Sequence, residues 1–349
     1  MAGDRFLKQI GEPRCRTTAM GILPHRDVSA AMDLALSLDI PFWPQLPRLR
    51  FEEDMYAQAC DGLPGFEVDR EGKTIRFDRE RFFGDIESYA SHSGELSYVG
   101  LSPESSVVFD EFLGLDIGSA WAIRGQIIGP VSFGLKVADP DKKPVIYDES
   151  VRTVLFDAFP RKANWQYEQL SKRNRRAFVW FDEPGLEMLW TSITGYTEQQ
   201  AKTDLGAALE QVEGPRGIHL CGKPDWDFLL GAPIDVLSMD AYSHGAVLAA
   251  YERAGEFIRQ GGVIGWGIVP THQDLLKNET VESLMRMLLG QWTKLARQGL
   301  GETQIARQAI LAPATCCLIN PDETTSVERA FSILTSLSDS IRHKFGFDD

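Results

Sequence analysis

The chain has 349 residues, enough for a sizeable core, and its 43% apolar and 25% charged residues are ordinary proportions for a soluble globular protein. Its 50 acidic residues outweigh its 36 basic ones, and a formal charge of −14 argues against a general nucleic-acid or anionic-membrane binder. No apolar run reaches the length of a membrane span, and the start Met1-Ala2-Gly3-Asp4-Arg5 lacks an apolar signal core, so a cytoplasmic location is expected. Five cysteines are an odd count that points away from a disulfide framework, and Cys15 and Cys60 read as structural.

Along the chain, apolar runs of β type alternate with helical patterns. The runs at 17–22, 40–43, 122–128, 178–182, 217–221, 236–240, 263–268 and 308–312 each end in Gly, Pro or a polar cluster. Helical spacing marks 28–38 (with Asp27 as N-cap), 148–171 across Pro160, a helix opened by Thr197 and Gln200, then 246–260, 280–298 and 325–344. Eight strands with covering helices predict an α/β fold, a (β/α)8 TIM barrel formed as one domain over 1–349. A doubly wound sheet would want a Gly-rich phosphate turn after the first strand, and Gly21-Ile22-Leu23-Pro24-His25 is not one. The segment at about 50–115 is too long for a βα loop. Alternation on both sides of Glu71-Gly72 predicts a β-hairpin inside it, an elaboration over the barrel mouth between strands 2 and 3.

The C-terminal strand ends, where barrels keep their sites, are chemically loaded with His25, Gln45, Asp182, Glu183, His219, Cys221, Asp240, Trp266 and Cys316. In Gly217-Ile218-His219-Leu220-Cys221-Gly222 the period of two puts an imidazole and a thiol on one strand face, half of a tetrahedral zinc site. Cys316 and Asp240 are the favoured partners, and His244 is a rival. Each residue has a plainer role open to it. His25 can bond a turn, Asp182-Glu183-Pro184 can cap a helix, Asp240 can cap the next one, Trp266 can be core, and Cys316 and Cys317 can be small apolar residues.

The order of Thr18-Ala19-Met20-Gly21, Arg124-Gly125-Gln126-Ile127-Ile128-Gly129-Pro130, Asp182-Glu183-Pro184, His219-Leu220-Cys221, 235–240 and Thr315-Cys316 resembles the catalytic barrel of cobalamin-independent methionine synthase, within the uroporphyrinogen decarboxylase-like superfamily. The resemblance covers nearly the whole chain. It implies zinc held by His219, Cys221 and Cys316, with Asp240 where the family has a Glu. It puts Asp182 at the amino group of homocysteine. It also shows departures, since Ile22 stands where the family has a substrate-contacting Ser, and Gln45 where it has a Glu. His219-Leu220-Cys221-Gly222 is similar as well to methylcobamide–coenzyme M methyltransferases, whose sulfonate substrate would want basic residues such as Arg48 and Arg50.

These resemblances imply a zinc-dependent S-methyltransferase of methionine biosynthesis. Asp182, Glu183 and His25 are its expected catalytic groups; Asp182, Gln45, Ile22 and Trp266 line the substrate. Its partners are a small thiol and a methyl donor, either methyltetrahydrofolate or a methyl-corrinoid brought by a corrinoid protein. A non-catalytic zinc- or corrinoid-binding barrel is the reading from another class.

Overall fold

The computed structural model describes residues 3–190, 195–223, 225–316 and 320–347, with the backbone alone at Trp190; Pro224 and Cys317 lie outside the described residues. The strands are β1 (Arg16–Thr17), β2 (Phe66–Asp69), β3 (Thr74–Phe77), β4 (Ile123–Ile128), β5 (Ala177–Asp182), β6 (Arg216–Leu220), β7 (Val236–Asp240), β8 (Val263–Val269) and β9 (Ala309–Pro313). Seven of them form one parallel sheet in the order β1-β9-β8-β7-β6-β5-β4. Their residues are buried almost throughout, as parallel strands covered on both faces must be.

The sheet curls around a cluster of its own. Ala122, Phe178, Trp180, Val236, Val263 and Ile310 meet Ile40 on the concave side, apart from the larger core under the helices. The N-terminal helix Arg5–Gln9 closes the bottom of this space, where Phe6 lies edge-on to Phe178 at 5.1 Å between centroids. Asp235 fastens that helix by accepting from the backbone N–H of Gly3 (3.0 Å) and Arg5 (3.3 Å), and it also accepts from that of Arg216 (2.9 Å).

The second expected strand, at 40–43, is present as hydrogen-bonded contacts and not as a ladder. Ile40 donates to Thr17 O (2.9 Å), Gln45 to Gly21 O (2.7 Å) and Leu23 to Gln45 O (3.0 Å), while Arg124 of β4 donates to Pro41 O (2.9 Å). The segment therefore touches both edges of the sheet. Pro41, Pro44 and Pro47 supply no N–H, so pairing survives only as the isolated bridges Ile22–Gln45 and Phe42–Arg124. The expected helix at 246–260 is divided into Ala241–Leu248 and Glu252–Arg259, and the first begins earlier than expected because Asp240 caps it directly after β7. Pro160 sits within an unbroken helix, Glu149–Ser171. Among the described residues, no helix is long and apolar enough to cross a membrane.

In the long segment after the second strand position, β2 and β3 pair antiparallel from Phe66–Phe77 to Asp69–Thr74. The turn is closed by Gly72 N–H donating to Asp69 Oδ1 (2.9 Å). The helices Met55–Gln58, Arg79–Ser91 and Val107–Gly114 complete this segment. A buried lysine anchors the segment, since Lys162 of the long helix donates to the carbonyls of Asp61 and Val99.

Because Phe6 is fully buried against Phe178 at the end of the sheet opposite Asp182, Phe6→Ala should cost stability alone. Chemical denaturation should show a loss of about 3–5 kcal/mol, the usual range for emptying a buried phenylalanine site.

Candidate functional site

Strand register brings the chemistry together. β5 and β6 pair so that Asp182 lies beside His219, and β6 and β7 so that His219 lies beside Ser238. In β7, Ser238 and Asp240 share a face by the period of two. Cys221 lies just past the end of β6, and Cys316 three residues past β9.

His219 is 3% exposed and stacks on Trp180 at 6.0 Å. Its Nδ1 lies 3.0 Å from Ser238 Oγ, while its buried Nε2 has no partner. Burial, helped by the Arg124 guanidinium, pushes its pKa down to about 3, so the ring is neutral. The Cys221 thiol is pushed up to about 12, first by burial, then by Cys316, Asp182 and Asp240, with its own backbone N–H opposing. Burial and Asp182 push Cys316 up to about 11. These mutual electrostatic effects mark the two cysteines, Asp182 and Asp240 as one neighbourhood. Among the described residues no group of three or more His, Cys, Asp or Glu side chains is already gathered in metal-holding geometry. The donor set itself has the chemistry of a zinc site, and an orphaned, neutral Nε2 whose ring is oriented through Nδ1 fits a ligand role.

The two adjacent acids part company. Glu183 is fully enclosed and accepts from Val131 N (3.1 Å), Ser132 N (2.8 Å) and Ser132 Oγ, at the N-terminus of the helix Pro130–Lys136. Both of its oxygens are occupied in holding that helix. Asp182 is buried too, and neither of its oxygens meets a donor in good hydrogen-bond geometry, although the Trp180 indole N–H, itself without a partner, lies close by. Burial pushes its pKa up to about 7, against the pull of Arg124 and the nearby Trp180 indole.

Arg124 lies beneath them, wholly buried, with its guanidinium 3.9 Å from the centre of the Trp180 ring and 5.3 Å from that of Phe42. It donates to Ala19 O, Gly125 O (3.2 Å) and Thr18 Oγ1 (3.4 Å). Burial lowers its pKa to about 9, and Asp182 acts the other way.

The remaining expected site residues are placed as follows. Asp240 accepts from Ser243 N (2.8 Å) and so caps the helix Ala241–Leu248. Gln45 is buried and donates to Gln58 Oε1 (2.7 Å), which leaves its own Oε1 without a partner; Ile22 is bridged to it. His25 is buried with Nε2 3.9 Å from Glu328 Oε1, and its other charged neighbour is Asp27. His244 is half-buried on the helix after β7.

Trp266 was expected to line the substrate and instead belongs to the core. It has no exposed surface and meets Trp292 edge-on at 6.1 Å. The alternation of β8 turns it toward the helices, while Gly265 and Gly267 take the opposite face; a Cβ on Gly265 would come within 3.1 Å of Ser238.

Sequence reasoning missed Ser238, Arg124 and Tyr56 as members of this neighbourhood. Ser238 had a signal, two residues before Asp240 in the same strand. Tyr56 had none, since it reaches Asp182, Glu183 and Cys221 only through the fold.

No protein-family model matches the sequence, and no curated protein matches it. Solved structures do resemble it. A methyltransferase from Methanosarcina mazei aligns over 94% of this chain and 94% of its own, with a TM-score of 0.54 at 14% identity. A B12-independent methionine synthase from Shewanella sp. W3-18-1, in complex with selenomethionine, aligns over 68% of this chain and 67% of its own (TM-score 0.46, 14% identity). A putative vitamin-B12 independent methionine synthase from Listeria monocytogenes aligns over 67% and 69% (TM-score 0.45, 13% identity). The first likeness is one of fold, and the two looser overlaps add nothing to it.

Since Glu183 meets three donors, Glu183→Ala should lower stability by about 2–4 kcal/mol in denaturant titrations, as expected when donors to a buried charge are left unmet.

Proposed function

We propose that the chain is one closed (β/α)8 barrel with the 50–115 segment elaborating its mouth, and that it is a zinc-dependent methyltransferase acting on a small thiol. Homocysteine is the favoured acceptor. The hydrogen bonds of 40–45 to both edges of the sheet support the closed barrel. The observation that carries the function is His219. It is buried and neutral, oriented through Nδ1 and orphaned at Nε2, in a neighbourhood that holds Cys221, Cys316 and Asp240.

In this reading Nδ1–H donates to Ser238 Oγ, which leaves the Nε2 lone pair for the metal. His219, Cys221 and Cys316 are the proposed ligands, with Asp240 as the fourth, exchangeable one. Zinc bound there would hold the acceptor's sulfur as a thiolate at neutral pH. Two cysteine thiolates and a carboxylate outweigh the charge of one dication, and this anionic surround keeps electron density on that sulfur. Asp182, with two unpartnered oxygens, receives the acceptor's ammonium group. Arg124 beneath it favours the ionised carboxylate. The neighbouring strands and the long segment keep bulk water from these groups.

A sulfonate thiol such as coenzyme M is the second acceptor. It has less support, because Arg50 is already paired with Glu53 at 3.0 Å. For the donor, a methyl-corrinoid suits the chain better than a folate. A polyanionic folate tail would find little steering on a protein of net charge −14.

Zinc-loaded protein with homocysteine should consume the methyl–cobalt absorbance of methylcobalamin and form methionine, and Cys221→Ser should abolish this. Methionine formed from methyltetrahydrofolate with no reaction of the corrinoid would overturn the donor. Absence of transfer from either donor to either thiol would leave the non-catalytic zinc- or corrinoid-binding barrel.

A further inference from the structure

Trp180 is enclosed in the middle of β5, on the same strand face as Asp182. In register it lies beside Gln126 of β4 and Gly217 of β6. Gly217 leaves room for the indole, since a Cβ added there would come within 2.6 Å of Trp180 Cβ. The ring is gripped from both flanking strands. From β4, the Arg124 guanidinium stands 3.9 Å from the ring centre. From β6, the His219 imidazole stacks on it, with centroids 6.0 Å apart and planes 25° from parallel. Phe178, two residues earlier in β5, meets it edge-on at 6.2 Å. The indole N–H makes no well-formed hydrogen bond, so these contacts are what place the ring. Arg124 is anchored in turn, because it donates to Ala19 O, Gly125 O and Thr18 Oγ1.

The stack does for His219 what its one hydrogen bond cannot. The contact from Nδ1 to Ser238 Oγ (3.0 Å) fixes one atom of the imidazole and leaves the ring free to turn about that contact. The outer torsion of a histidine is broad, with no narrow staggered well to hold it. An aromatic face alongside supplies the missing restraint, since offset stacking favours one ring plane. Cation–π attraction to Arg124 holds that face in place. Nε2, the unpartnered ring atom, is thereby given a direction as well as a position.

We propose that Trp180 is a positioning residue for metal binding, acting through the ring plane of His219. The inference rests on the metal reading above, and one titration separates the two. Metal-free protein would be titrated with Co2+ against a competing chelator, following the thiolate-to-cobalt absorbance, for wild type, Trp180→Leu and Trp180→Phe. The denaturation midpoint of each metal-free protein would be measured alongside, because a merely structural residue would move only that. The expected result is Co2+ affinity lowered roughly ten-fold or more in Trp180→Leu, the usual effect of losing an outer support of a metal-bound histidine. Trp180→Phe, which keeps a flat ring, should recover most of the loss. Equal affinity in wild type and Trp180→Leu, or equal losses in the two variants, would overturn the role of Trp180 and leave the metal reading standing. Should Trp180→Leu fail to fold, Gly217→Ala displaces the indole instead, and wild-type affinity there would overturn the role as well. Absence of the thiolate band in the wild type would overturn the metal reading, and this inference with it.

Discussion

A packed protein interior tolerates an unpartnered polar atom only at a cost of about 1–3 kcal/mol each. Three such atoms lie on one pair of neighbouring strands here, the two oxygens of Asp182 and Nε2 of His219. Two other buried acids are fully satisfied. Glu53 accepts from Arg50, Gln58, Ser106 and Val107, and Asp235 from three backbone amides. Asp182 and His219 lie at the C-terminal strand ends, where a bound ligand can offset the cost. The proposed function depends on those unpartnered atoms.

The framework holds these atoms in place without neutralising them. Glu183 pins a helix start, Ser238 orients His219, and Asp240 spends one oxygen on the next helix. Among the described residues, Arg124 is the buried cation that acts electrostatically on both Asp182 and His219, and its hydrogen bonds go to neither. It pulls toward the carboxylate anion, against burial, and toward the neutral imidazole, the states that the proposed metal site and ammonium subsite would require. A salt bridge from Arg124 to Asp182 would have occupied the acceptor that the proposed function needs.

Much of this was legible in the sequence because strands alternate. The period of two in His219-Leu220-Cys221 and Ser238-Met239-Asp240, with the acids ending β5, is enough to place their side chains on one face of a parallel sheet. The same rule, applied to Val263-Ile264-Gly265-Trp266-Gly267, turns Trp266 toward the helices, and an eye drawn to the aromatic misses it. The second strand was legible as a segment but not in its pairing, because three prolines remove donors from the ladder. The division of work between Asp182 and Glu183 was not legible at all. Both end an apolar run, and only the approach of Val131 and Ser132 shows which one is occupied. Tyr56 lies in a segment whose path no local pattern dictates.

X-ray absorption at the zinc edge of the metal-loaded protein tests the central claim most directly, because it counts the atoms around the ion. The account predicts two sulfurs at about 2.3 Å with lighter N/O ligands, and a third sulfur when homocysteine is added. A shell of nitrogen and oxygen alone, or a shell unchanged by the thiol, would contradict it.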